Sequence, residues 1–149
     1  MNAALVPPRE HQVKRCLLVE DSVPDGSAIS HALVVRGYEV TWVIGLITLS
    51  DGEAIGISSD YDELVIRPGD YCIALVDHDL FNRGRQKITG CDVIRWLSAS
   101  NPFPVCAISS TDGANELLVN AGAITKCLKS NVVNCLDALI GVLEGTVQQ

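Results

Sequence analysis

Short apolar runs recur along the chain, and most are separated by stretches whose apolar positions repeat at helical spacing. "RCLLVED" (15–21) is a short run bounded by acids, the pattern of a strand buried on both faces. "SVPDGSAISHALVVRG" (22–37) follows, with Ser22 as N-cap, Pro24 in the first turn and Gly37 as a stop. Ile29, Leu33 and Val34 recur at helical spacing, which predicts a helix; His31, among polar neighbours, is expected on its surface. "YEVTWVIGL" (38–46) is β-branched and aromatic, a second strand, and "YCIALVDHDLFN" (71–82) carries a third that ends at Asp77. Two further units and a final helix come next: "CDVIRWLSAS" as helix, "FPVCAISS" as strand, "DGANELLVNAG" as helix, "AITKCLK" as strand and "VVNCLDALIGVL" as helix. Strands alternating with helices predict an α/β domain, a parallel sheet wrapped by helices.

One segment breaks the alternation. "TWVIGLITLSDGEAIGISS" (41–59) is rich in glycine and β-branched residues, poor material for a helix, and places Asp51-Gly52 between two β-prone runs. That dipeptide is a strong hairpin signal. The long second strand is therefore expected to fold back there, with "YDELVIRPGD" (61–70) as an irregular return holding a short strand or helix.

Composition narrows the function classes. The 149 residues, 48% of them hydrophobic, suit one domain with a real core. A net charge of -7 argues against direct nucleic-acid binding. The six cysteines form no C-x-x-C or zinc-type pattern and read as buried thiols of a reducing compartment. There is no basic segment followed by an apolar one at the start, and the longest apolar stretch, "WVIGLITL", cannot cross a bilayer; a cytoplasmic protein with no membrane contact is expected. Residues 1–13 and 146–149 read as tails, the second equally as the start of a linker, around a domain spanning 14–145.

In sheets of this kind the ligand lies beyond the carboxyl ends of the strands, where Glu20, Asp21, Asp77, Ser109 and Lys129 all fall. Two adjacent acids and a third at a strand end make an all-oxygen site suited to Mg²⁺. A phosphoryl group arriving at Asp77 would need that metal, a cation (Lys129) and a hydroxyl (Ser109), and carboxylate attack on phosphorus gives an aspartyl phosphate. The Asp77-His78-Asp79 tripeptide also permits a D-x-D reading: Asp77 as nucleophile and Asp79 as acid/base, as in haloacid-dehalogenase-like phosphatases. The order of the acids opposes it, since Glu20 and Asp21 precede Asp77 and only Asp137 remains late.

In that order the chain resembles the receiver domain of two-component response regulators. "LLVEDS" looks like its acid-pocket strand, with sixteen residues from Asp21 to Gly37; "ALVDHDL" looks like its phosphoacceptor strand; "PVCAISS" sets Ser109 at the hydroxyl position; and "AGAITKCLK" sets Lys129 seven residues after Gly122. The resemblance implies a flavodoxin-like doubly wound sheet of five parallel strands in the order 2-1-3-4-5, to which the Asp51-Gly52 signal adds a hairpin inserted after strand 2. It also implies Asp77 as phosphoacceptor, Mg²⁺ held by Glu20, Asp21, Asp77 and the backbone carbonyl of Asp79, and a histidine kinase or phosphotransfer protein as donor. With no room for an output domain in 149 residues, output is expected by protein contact, or from a longer chain of which this is one part.

The pattern is broken at four places. Ser130 and Phe81 stand where the family has proline, Lys126 occupies the aromatic switch position, and forty residues separate Gly37 from Asp77, so the family's second helix is rewritten. The loop "FNRGRQKITG" is also long and carries Arg83, Arg85 and Lys87, either as a solvated face or as an attraction for an anionic partner. Phosphorylation chemistry with altered output is one expectation; a never-phosphorylated pseudo-receiver is the other. Trp42 and the insertion suit core packing, yet an unusual strand edge there could add to a sheet in a homodimer.

Overall fold

A computed structural model describes residues 13–99 and 101–148; the tail expected at the amino terminus lies almost wholly outside them. Seven strands and four helices follow one another as β1 (Lys14–Val19), α1 (Val23–Val35), β2 (Tyr38–Ser50), β3 (Glu53–Ser58), β4 (Glu63–Ile66), β5 (Ile73–Val76), α2 (Gly90–Leu97), β6 (Val105–Ala107), α3 (Asp112–Ala121), β7 (Thr125–Lys126) and α4 (Val132–Gln148). The strands form one sheet in the order β4-β3-β2-β1-β5-β6-β7. Its parallel part, β2-β1-β5-β6-β7, has the five strands and the order expected. The hairpin expected after the second strand, with a short strand from the return after it, continues the same sheet as an antiparallel meander and brings it to seven strands among the described residues.

β1 is invariantly apolar from Cys16 to Val19 because both its faces are covered, and alternate residues enter opposite layers. Leu17 and Val19 join Ala74, Val76, Val93, Ile94 and Leu118 beneath α2 and α3. Cys16 and Leu18 join Ile29, Leu33, Ile73, Leu75 and Leu136 beneath α1 and α4. Ser22 caps α1 by accepting the Asp25 amide. Val34, expected on the apolar stripe, is 54% exposed, so Ile29, Ala32 and Leu33 carry the contact instead. His31 is exposed as expected. α4 runs on through the segment read as a tail, and its Glu144 accepts hydrogen bonds from Lys14 and Tyr38. Burial is confirmed for Cys16, Cys91 and Cys106, whereas Cys72 and Cys127 are half-buried and Cys135 is exposed.

The meander turns at Asp51-Gly52 as the sequence predicts, but only Gly52 has a positive φ (75°). The turn is therefore not the type I′ form that this dipeptide favours, which needs a positive φ at both residues. Register shifts between Val43 and Gly45 and between Leu46 and Thr48 let Val43 and Leu46, three positions apart, enter the same apolar cluster. At this end of the sheet Leu80 and Ile88, from the loop after β5, pack with Ala54 and Ile66, the Phe81 amide bonds to the Ile44 carbonyl, and Trp96 of α2 donates its indole N–H to the Ser50 carbonyl at 2.6 Å.

Candidate functional site

Asp77 terminates β5 with its amide on the Val19 carbonyl, so it sits at the carboxyl edge of the central strand pair. It is 4% exposed. Its Oδ1 accepts the His78 amide at 2.7 Å and its Oδ2 accepts Lys129 Nζ at 2.7 Å. Lys129 reaches Asp77 because its own amide bonds to the Ser109 carbonyl at 3.0 Å, which fixes the turn after β7 against the end of β6. The same ammonium donates to Glu20 Oε2 at 3.1 Å, an oxygen that also accepts the Ser22 amide at 2.9 Å.

Glu20 is completely buried, and its Oε1 has no hydrogen-bond partner. A carboxylate in that position costs free energy, and burial pushes the carboxyl up to about 7, with neighbouring Asp77 adding to the rise and the Ser22 amide and Lys129 opposing it. Asp21, more exposed, is raised by partial burial and by Asp77. Burial alone would lower Lys129, but its bonds to Asp77 and Glu20 outweigh that and raise it. Three carboxylates against one ammonium leave the cluster short of positive charge. One oxygen from each of Glu20, Asp21 and Asp77 lies within 4.8 Å of the others. An all-oxygen set with an unpartnered buried oxygen fits a hard divalent cation such as Mg²⁺.

The sequence-predicted residues are brought together unequally. Glu20, Asp21, Asp77 and Lys129 form one cluster. Ser109, 4% exposed, lies at the end of the adjoining strand and is joined to that cluster through the Lys129 amide. The carboxylate of Asp79 stays outside: its side chain is 86% exposed and contacts His78 Nδ1 at 3.1 Å. Lys126 bonds to Glu116 on α3 at the surface.

The sequence matches no protein-family model and no curated protein. Its likeness is in three dimensions. A CheY-like response regulator receiver domain from Methanospirillum hungatei JF-1 superposes with a TM-score of 0.62 at 17% identity, over 92% of this chain and 98% of that one. The receiver domain of a sensor histidine kinase from Pseudomonas aeruginosa PAO1, which has a magnesium ion coordinated in its active-site cleft, gives 0.63 at 20% identity over 90% and 99%. A two-component response regulator from Clostridium difficile gives 0.63 at 10% identity over 91% and 99%. The fold is that of a response regulator receiver domain.

Three residues that build this receiver-like site are not evident as site residues from the sequence. Asn115, 1% exposed, accepts the Ser109 amide at 2.8 Å and donates to the Cys127 carbonyl at 3.1 Å, tying the ends of β6 and β7 together beneath Ser109 and Lys129. Trp42 donates its indole N–H to the Glu20 carbonyl at 2.8 Å. Gly90 opens α2 directly against the acceptor strand, where a Cβ would meet the Asp77 carbonyl oxygen at 2.0 Å. An asparagine inside an otherwise amphipathic helix was the one available signal, and a periodicity reading assigns it to solvent.

Proposed function

We propose that this chain is a phosphorylation-controlled signalling switch, with Asp77 accepting a phosphoryl group from the phosphohistidine of a histidine kinase or phosphotransfer protein in a Mg²⁺-dependent reaction. The observation that carries the reading is the cluster of buried Glu20 and Asp77 with exposed Asp21 beside them and Lys129 bonded to both buried acids. A carboxylate oxygen of Asp77 forms the new O–P bond as the P–N bond breaks, and the electron pair leaves with the imidazole. Glu20, Asp21, Asp77 and the Asp79 backbone carbonyl would hold the Mg²⁺, which would neutralise charge on the transferring group. Lys129, bonded to Asp77 at 2.7 Å, would transfer part of that bonding to the incoming oxygens, and Ser109 would donate its hydroxyl.

The chain would be a regulatory phosphoacceptor rather than a turnover enzyme, acting in the cytoplasm through contact with another protein. No helix among the described residues is long and apolar enough to cross a membrane. A D-x-D phosphatase would need the Asp79 carboxylate beside the phosphoryl group, and an exposed carboxylate turned to His78 does not favour it. Incubation with Mg²⁺ and a small acyl phosphate should add one phosphoryl group, detected by intact-mass spectrometry, and Asp77→Asn should abolish it. Persistent labelling of that variant would overturn the assignment.

A further inference from the structure

β4 ends the sheet, and among the described residues its outer edge bears no strand. The pairing pattern tells which backbone groups face outward. The Ser58 amide bonds to the Asp62 carbonyl, and in an antiparallel ladder bonded pairs alternate with unbonded ones, so Gly56–Leu64 and Ala54–Ile66 are the bonded pairs. The amides and carbonyls of Glu63 and Val65 therefore point away from β3. Arg67, the next residue in this alternation, continues the series, although its carbonyl already accepts the Asp70 amide.

The side chains at these positions share one face. Val65 is 45% exposed, and Glu63 and Arg67 flank it with side chains 59% and 58% exposed. Natural edges are usually blunted against pairing by shortness, charged side chains, proline, a bulge or an inward-pointing charge; β4 is short and carries charges, but it holds no proline and its pairing with β3 shows no bulge. Its charges also distinguish between registers. An antiparallel partner strand centred on Glu63 would set Glu63 against itself, and one centred on Leu64 would set Glu63 against Val65. Centring on Val65 places Val65 against Val65 and each Glu63 against Arg67 of the second copy, with outward-facing amides and carbonyls opposite one another. Opposite charges in directly opposed positions favour pairing, and like charges oppose it. Within one chain, Glu63 pairs with Arg83 and Arg67 with Glu53. Both are exposed pairs of small worth, so exchanging them costs little.

We propose that β4 is a homodimerisation edge, which pairs antiparallel with β4 of a second copy about a two-fold axis at Val65 and makes the sheet continuous across both chains. The interface is isologous, as a two-fold requires. Sedimentation equilibrium of the full chain should show a mass rising with concentration from 16.0 kDa toward twice that value. Val65→Pro removes only an outward-facing amide and should leave the fold, checked by circular dichroism, while reducing the protein to monomer. Glu63→Arg should also give monomer, and Glu63→Arg with Arg67→Glu should restore the dimer by exchanging the charges. A wild-type chain that remains monomeric up to about 1 mM, a dimer that survives Val65→Pro, or a double variant that stays monomeric overturns the proposal.

Discussion

Replacing Glu20 by glutamine should make the metal-free protein clearly more stable at pH 8 and much less so at pH 5. The folded carboxyl is raised by burial from 4.5 to about 7, so between those values the folded chain holds a proton that the unfolded chain releases. Stability then falls as pH rises, because it increases with pH only where the unfolded state binds more protons. Above pH 7 the cost of ionising Glu20 in place approaches the difference between about 7 and 4.5 multiplied by ~1.4 kcal/mol per pH unit, about 3–4 kcal/mol. For a chain of this size that corresponds to roughly 6–16 °C in Tm. The assay is thermal unfolding by circular dichroism at half-unit steps from pH 5 to 8 in chelator-treated buffer, on wild type and Glu20→Gln. Titrations common to both proteins cancel in the difference. The gap should open through pH 5–7 in favour of the variant, and saturating Mg²⁺ at pH 8 should close or reverse it by stabilising wild type selectively. Parallel curves for the two proteins would refute the claim that the unpartnered Glu20 carboxylate is a cost accepted for ion binding.

Two other variants test the surroundings of the site. Asn115→Ala should cost about 2–3 kcal/mol in urea unfolding, since it leaves the Ser109 amide and the Cys127 carbonyl buried without their partner; a loss below ~0.5 kcal/mol would mean that water replaces the amide. Asp79→Ala should leave the rate at which phosphorylated protein loses its phosphoryl group in Mg²⁺ nearly unchanged, since the carboxylate is exposed and turned to His78; a clearly altered decay would show that it reaches the site to repel or orient hydrolytic water.

The strands were legible because burial on both faces leaves an unmistakable run of apolar residues, as from Cys16 to Val19, and because the acids that end such runs have few places to lie in an α/β sheet. The turn at Asp51-Gly52 was legible from local backbone preference, and β4 emerged from the irregular return predicted after it. The seven-stranded sheet was not, since whether a hairpin extends a sheet or packs upon it depends on what covers its apolar face. Here Leu80 and Ile88 from the loop after β5 join Trp96 of α2 in that cover, and loops carry no period to read. Asn115 and Trp42 were hidden for a related reason. Their partners are the backbone atoms of Ser109, Cys127 and Glu20, and backbone groups have no signature in sequence.

The meander also bears on the order in which the chain assembles. β2 to β4 occupy one continuous stretch and pair through short turns, whereas the pairing of β1 with β5 must wait for two strands separated by more than fifty residues of chain. Contacts close in sequence cost less chain entropy to form. The segment that departs most from the receiver pattern is therefore the part best placed to form early, and the long β2, antiparallel at one end and parallel at the other, offers the template on which β1 subsequently docks.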